Sequence, residues 1–174
     1  VFTAAPAERF IPIALASHHS LSDARVARTL MQLLTVAVSR LEAEAVLGLL
    51  DAAIVRNRFG IAAEDVSLIR EWTLRVGIRW GKDGESKGRE GLPISRPTTW
   101  EAGLDRLIIG AAIGGAEEAA DPFADVVPFD DIEGANTLLA GRFATFVRAV
   151  FALADALRMP RRIDAWSKLL AGAM

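Results

Sequence analysis

The chain has 174 residues, 52% of them hydrophobic and 24% charged, with a formal net charge of −2. That is the make-up of a globular chain able to enclose a core, and it excludes a disordered polymer and a strongly basic, autonomous nucleic-acid binder, although a local basic patch would act through its own field. With no cysteine there is no disulfide and no thiolate zinc site, which is compatible with a reducing compartment.

The sequence begins at Val1 with no basic segment ahead of a long hydrophobic run, so no signal peptide is expected. Phe10 to Leu15 reads like an isolated strand, as expected of a piece cut from a longer polypeptide. His18-His19 reads as a polar turn, because adjacent side chains point apart and no ligand cluster completes a metal set. After Ser20 and Ser22, either a potential cap, Val26, Leu30, Leu33, Leu34, Ala37 and Leu41 recur at helical spacing. Met31, Val36 and Val38 make the opposite face apolar too, which predicts a central, buried helix. A second helix is predicted over Ala43 to Ala52 and a third over Ala63 to Val76, stopped by Gly77 in the left-handed conformation.

The stretch from residue 77 to 97 reads as a long irregular loop. Its GKDGESKGREG resembles a phosphate loop, but Gly77 and Gly81-Lys82 are one residue too close for Walker A spacing, and Asp83 stands where a magnesium-binding hydroxyl belongs. A nucleotide site is therefore not expected. Arg79, Lys82, Lys87 and Arg89, with Trp80 at one end and Trp100 at the other, are the candidate nucleic-acid contacts. The simpler reading of the two tryptophans is that they anchor the roots of the loop in the core.

A fourth helix is predicted from the Thr98-Thr99 pair through Leu104, Leu107 and Ile108 towards Gly114-Gly115. Gly110 and Gly114 have the spacing of a close packing contact. Uncharged apolar runs such as Leu107 to Ala116 fall short of the roughly twenty residues of a membrane span, so no membrane partner is expected. The acids Asp121, Asp125, Asp130, Asp131 and Glu133 lack calcium-loop spacing and read as helix-capping charge. Leu139, Phe143, Phe146, Val150, Leu153 and Leu157 then alternate four and three apart, predicting a helix over Leu138 to Arg158 that packs along a neighbour. Pro160 breaks it, and Ile163, Trp166, Leu169 and Leu170 give a short closing helix. No residues assemble into a catalytic set, and no metal site is expected.

The ordered motifs carry a resemblance. LEAEAVLGLLDAAIVRNRFGIAAEDVSLIREWTLRVGIRWG (Leu41 to Gly81), Leu92-Pro93, TTWEAGLDRLIIG (Thr98 to Gly110), VPFDDIEG (Val127 to Gly134) and the LLAGRFATF that follows resemble the RecC family, the gamma subunits of exodeoxyribonuclease V, the RecBCD helicase–nuclease. The motif residues are Gly77, Trp80, Gly81, Trp100, Pro128, Asp130, Asp131 and Gly134. Phe129 departs from the tyrosine common in the family, and Ala112-Ile113 from a tyrosine-methionine pair, both conservative in size.

The resemblance implies a mainly α, internal segment of a longer chain: residues 1–20 as a strand and lead-in from a helicase-like core, and residues 21–174 as a helical region similar to the 2B insertion of superfamily-one helicases. It further implies a non-catalytic scaffold in double-strand break repair and recombination, with RecB-like and RecD-like partners, DNA met through the full complex, ATP and magnesium left to the partner subunits, and a cytoplasmic location. Isolated, such a segment is expected to self-associate. Two other classes stand beside it: an autonomous single-stranded nucleic-acid-binding module built on the basic loop, and a helical regulator that binds a small hydrophobic ligand.

Overall fold

A computed structural model describes residues 21–113, 126–132 and 134–173. The expected N-terminal strand, His18-His19 and, of the acidic loop, Asp121, Asp125 and Glu133 lie outside the described residues. The architecture is helical: α1 (Leu21–Val38), α2 (Ala43–Gly48) running into a 3₁₀ turn (Leu49–Asp51), α3 (Ala53–Phe59), α4 (Asp65–Arg75), α5 (Gly84–Arg89), α6 (Trp100–Ile113), α7 (Ala135–Arg158) and α8 (Ile163–Ala173).

α7 is the axis of the core, and α1, α3, α4 and α6 pack on it. Its predicted stripe faces inward: Leu139, Phe143, Phe146 and Val150 are buried, and Leu153 and Leu157 partly so. The aromatic rings interlock across elements. Phe59 of α3 meets Phe146 edge-on at 5.4 Å, and Trp100 of α6 meets Phe143 at 6.2 Å. Burying each of these large apolar side chains contributes about 1.5–3 kcal/mol before the entropy of ordering is counted. By length and composition α7 could cross a membrane, but half of its most apolar window is buried within the fold, as befits a core helix.

Three elements differ from expectation. α1 lies over α7 with only one side covered: Val36 and Ala37 are buried while Met31 is 64% and Val38 70% exposed. An apolar face all round the helix therefore does not make it central here. The helix also stops before Leu41, whose backbone turns to a φ of 56° so that its side chain enters the core. α3, unpredicted, is a seven-residue helix closed by Gly60 at φ 66°. Inside the segment expected to be irregular, α5 forms on a capping box: the Asp83 carboxylate accepts from Ser86 N at 2.7 Å, and Ser86 Oγ accepts from Asp83 N at 3.1 Å.

Candidate nucleic-acid interface

Residues Ile78 to Lys82 belong to no helix, and the carbonyls of Arg79, Gly81 and Lys82 do what side-chain caps do elsewhere. The first N–H groups of a helix have no partner within it. Arg79 O accepts from Ala43 N, at the start of α2, at 2.7 Å, while Gly81 O and Lys82 O accept from Trp100 N and Glu101 N, at the start of α6, each at 3.0 Å. Glu42 makes no side-chain cap to α2, so the GIRWGK backbone holds that end. In return Gly81 N donates to Arg40 O at 2.9 Å and Arg79 N to Thr98 O at 2.9 Å. Thr99 caps α6, accepting from Ala102 N at 3.3 Å, at the Thr98-Thr99 pair where the helix is expected to start.

The geometry needs unusual backbone on three loop segments. Gly77 and Gly81 have φ near 80°, as the glycine stop predicts, while Leu41 and Thr98 take positive φ without being glycine. Such residues persist only where their surroundings fix them. Leu41 O is held by the Trp100 indole N–H at 2.7 Å, and Thr98 Oγ1 accepts from Lys87 Nζ at 3.0 Å. Trp100 is fully buried and anchors the loop as expected; Trp80 is partly buried, with Arg40 and Lys87 over its ring.

The four cations marked by the sequence divide. Lys87 is 6% exposed. Its ammonium donates to Pro97 O at 2.5 Å and stands 5.4 Å from the Trp80 ring centroid, bracing the loop from inside. Lys82 pairs with Asp155 of α7 at 2.7 Å. Arg79 and Arg89 are exposed. Lys82 and Arg89 line one small cleft with Ser39, Arg40, Trp80, Ser86, Glu90 and Arg158, whereas Arg79 and Lys87 do not. Arg40 and Arg158 escaped the sequence reading because both sit at helix ends remote in the chain, where a lone arginine usually complements the helix dipole.

The second motif is a joint as well. Gly110 of α6 faces Phe129 so closely that an added Cβ would lie 1.8 Å from Phe129 O, so this glycine packs against the PFDDIEG backbone; Gly114 lies outside the described residues. Phe129 N donates to Arg106 O at 3.0 Å, and the Arg106 guanidinium donates to Val127 O at 3.0 Å and Val76 O at 3.1 Å. Arg75 lies 4.8 Å from the Phe129 ring centroid and is paired with Asp131. The hydrogen bond that Arg75 donates to Asp131 raises the pKa of Arg75 above its ordinary value, against a smaller opposing effect of desolvation. Pro128, Phe129 and Ile132 are buried, Asp130 is exposed, and Gly134 at φ 57° turns the chain into α7.

A groove of about 450 Å³ opens between α1, α3, α7 and α8, lined by Val26, Leu30, Leu33, Phe59, Val150 and Leu153 together with Arg58 and Lys168.

Fold and site together define a mainly α domain whose signature residues join elements to one another. The chain belongs to the RecC family: residues 23–174 match the model of the RecBCD enzyme subunit RecC fourth domain. It is similar to the RecBCD enzyme subunit RecC of Escherichia coli (strain K12), 31% identical over 95% of this chain and 14% of that protein. Against the same subunit of Mycobacterium tuberculosis (strain ATCC 25618 / H37Rv) it is 36% identical over 80% of this chain and 13% of the relative, and against that of Haemophilus influenzae 34% over 92% and 14%. The chain thus spans about one-seventh of the length of these relatives.

Proposed function

We propose that the chain is a non-catalytic scaffold segment of a RecC subunit, serving double-strand break repair and recombination within a RecBCD-type complex by presenting surfaces to RecB-like and RecD-like partners. The observation that carries this reading is the work of the motif residues. Gly81, Trp100, Phe129 and Asp131 spend their hydrogen bonds, ring faces and charge on joining helices, and they do so within a stretch that matches the RecC fourth domain throughout. α1 supports it too, with Met31 and Val38 exposed on a face that the described fold leaves uncovered. Apolar surface of this kind marks a place for contact with a partner.

On this reading the helices correspond to a 2B-like insertion, ATP and magnesium are used by the partner motor and nuclease subunits, and the site of action is the cytoplasm. Two measurements test it. The purified chain is assayed for ATP hydrolysis and DNA cleavage, with none expected; an activity abolished by substituting a residue of this chain would overturn the proposal. Tagged chain is then used to capture a RecB-like subunit. Retention is expected, reduced when Met31 and Val38 are both replaced by glutamate, and no retention of the unsubstituted chain contradicts the scaffold role.

A further inference from the structure

We infer that the apolar groove between α1, α3, α7 and α8 is a binding site for a small anionic amphiphile, its alkyl chain lying in the groove and its carboxylate head meeting Arg58 and Lys168. The floor belongs to the core: Phe146 and Val150 of α7 are buried, and Phe59 of α3 meets Phe146 edge-on. Val26, Leu30 and Leu33 of α1 line the groove while only partly covered. Their remaining apolar surface favours any chain that takes it out of water. The volume of about 450 Å³ and the setting between helices are those of small-molecule sites.

The charge on the walls has one sign. Arg58 and Lys168 line the groove, and among the described residues no carboxylate does. Thr29 also lines it, but its hydroxyl is donated to Arg25 O at 3.0 Å. The other arginines around α3 are engaged: Arg56 donates to Leu50 O at 2.6 Å and to Asp51 O at 2.9 Å, and Arg142 donates to Gly60 O at 2.8 Å. Arg58 and Lys168 are exposed, and their side chains have no ion pair among the described residues. An alkyl carboxylate matches both features of the groove, whereas a neutral lipophile would gain nothing from the cations.

Area favours a small ligand over a protein. The groove's own surface is far smaller than the roughly 800 Å² that each side of a stable protein interface covers. The inference does not depend on the scaffold reading, since neither Met31 nor Val38 lines the groove.

The test is isothermal titration calorimetry of the chain with sodium dodecanoate and sodium decanoate, each kept below its micelle-forming concentration. One equivalent should bind, and decanoate should bind about tenfold more weakly than dodecanoate for its two missing methylenes. The uncharged 1-decanol should bind more weakly than decanoate. In the double variant Arg58→Gln, Lys168→Gln, decanoate should fall to the level of 1-decanol, whose own binding stays unchanged; both side chains are exposed, so the variant removes charge without disturbing the core. Ala152→Trp, at an exposed position on the groove wall, should fill the groove and abolish binding of all three. Arg148→Gln, exposed on α7 outside the groove, should change nothing. Absence of dodecanoate binding overturns the inference, as do several equal sites, affinity independent of chain length, or an equal loss in Arg148→Gln. Displacement of dodecanoate by a helical leucine–glutamate peptide at lower concentration than by decanoate overturns it in favour of an acidic partner helix.

Discussion

A methyl group placed on Gly110 would lie 1.8 Å from Phe129 O and 2.8 Å from its carbonyl carbon, whereas one placed on Gly141 of α7 would meet nothing within 4 Å. Both glycines are helical, so alanine gains the same intrinsic propensity at each, about 0.5–1 kcal/mol. Gly141→Ala should therefore stabilise the chain by about that amount. Gly110→Ala must push the PFDDIEG backbone away from α6, strip Phe129 N from Arg106 O and loosen the Arg75–Asp131 pair, for a net destabilisation of about 3 kcal/mol or more. Urea melts of the two variants check both signs. A midpoint for Gly110→Ala equal to that of the unsubstituted chain would mean that α6 and the PFDDIEG backbone do not meet at this distance.

At the scale of elements, α5 shows how little sequence a helix needs when its surroundings supply the rest. GESKGR holds two glycines and no apolar residue, yet the Asp83–Ser86 capping box starts it and buried Lys87 fastens it to Pro97 and Thr98. Replacing Asp83 by alanine should cost about 1 kcal/mol. The effect should show as local opening of α5, measured by faster amide exchange across residues 84–89, while α7 stays protected.

The same contrast explains what could be read in advance. The α7 stripe was legible because its six apolar positions face a single core, and Gly77 because glycine stops act locally. α3 and α5 were not, since each is too short to show a period, and α1 misled because sequence cannot distinguish a face covered within the fold from one left open. For the site, the loop and its two tryptophans were found. Arg40 and Arg158 were not, because their meeting depends on how α1 and α7 cross, which no local spacing encodes.

Across the whole molecule, α7 gathers the other long helices, and the two signature segments tie down what α7 does not reach. GIRWGK secures the first turns of α2 and α6; PFDDIEG secures the flank of α6 and the end of α4. A fold organised in this way keeps its surface available, and that surface divides into an apolar side on α1 and a basic cleft at the ends of α1 and α7. On the proposed scaffold role the apolar side serves assembly, so glutamate at Met31 and Val38 should weaken capture of a RecB-like subunit while leaving the urea midpoint of the chain nearly unchanged, both positions being exposed.

The shared use of Arg79, Gly81 and Lys82 carbonyls by two helix starts carries a consequence for how the molecule breathes. Neither helix can fray at its first turn without releasing the segment that also guards the other. The amides of Ala43, Gly81, Trp100 and Glu101, far apart in the chain, should then exchange with solvent as one cooperative unit with a common opening free energy and a common response to denaturant. Native-state exchange that instead resolves Ala43 from Trp100 would mean the two helix starts open separately.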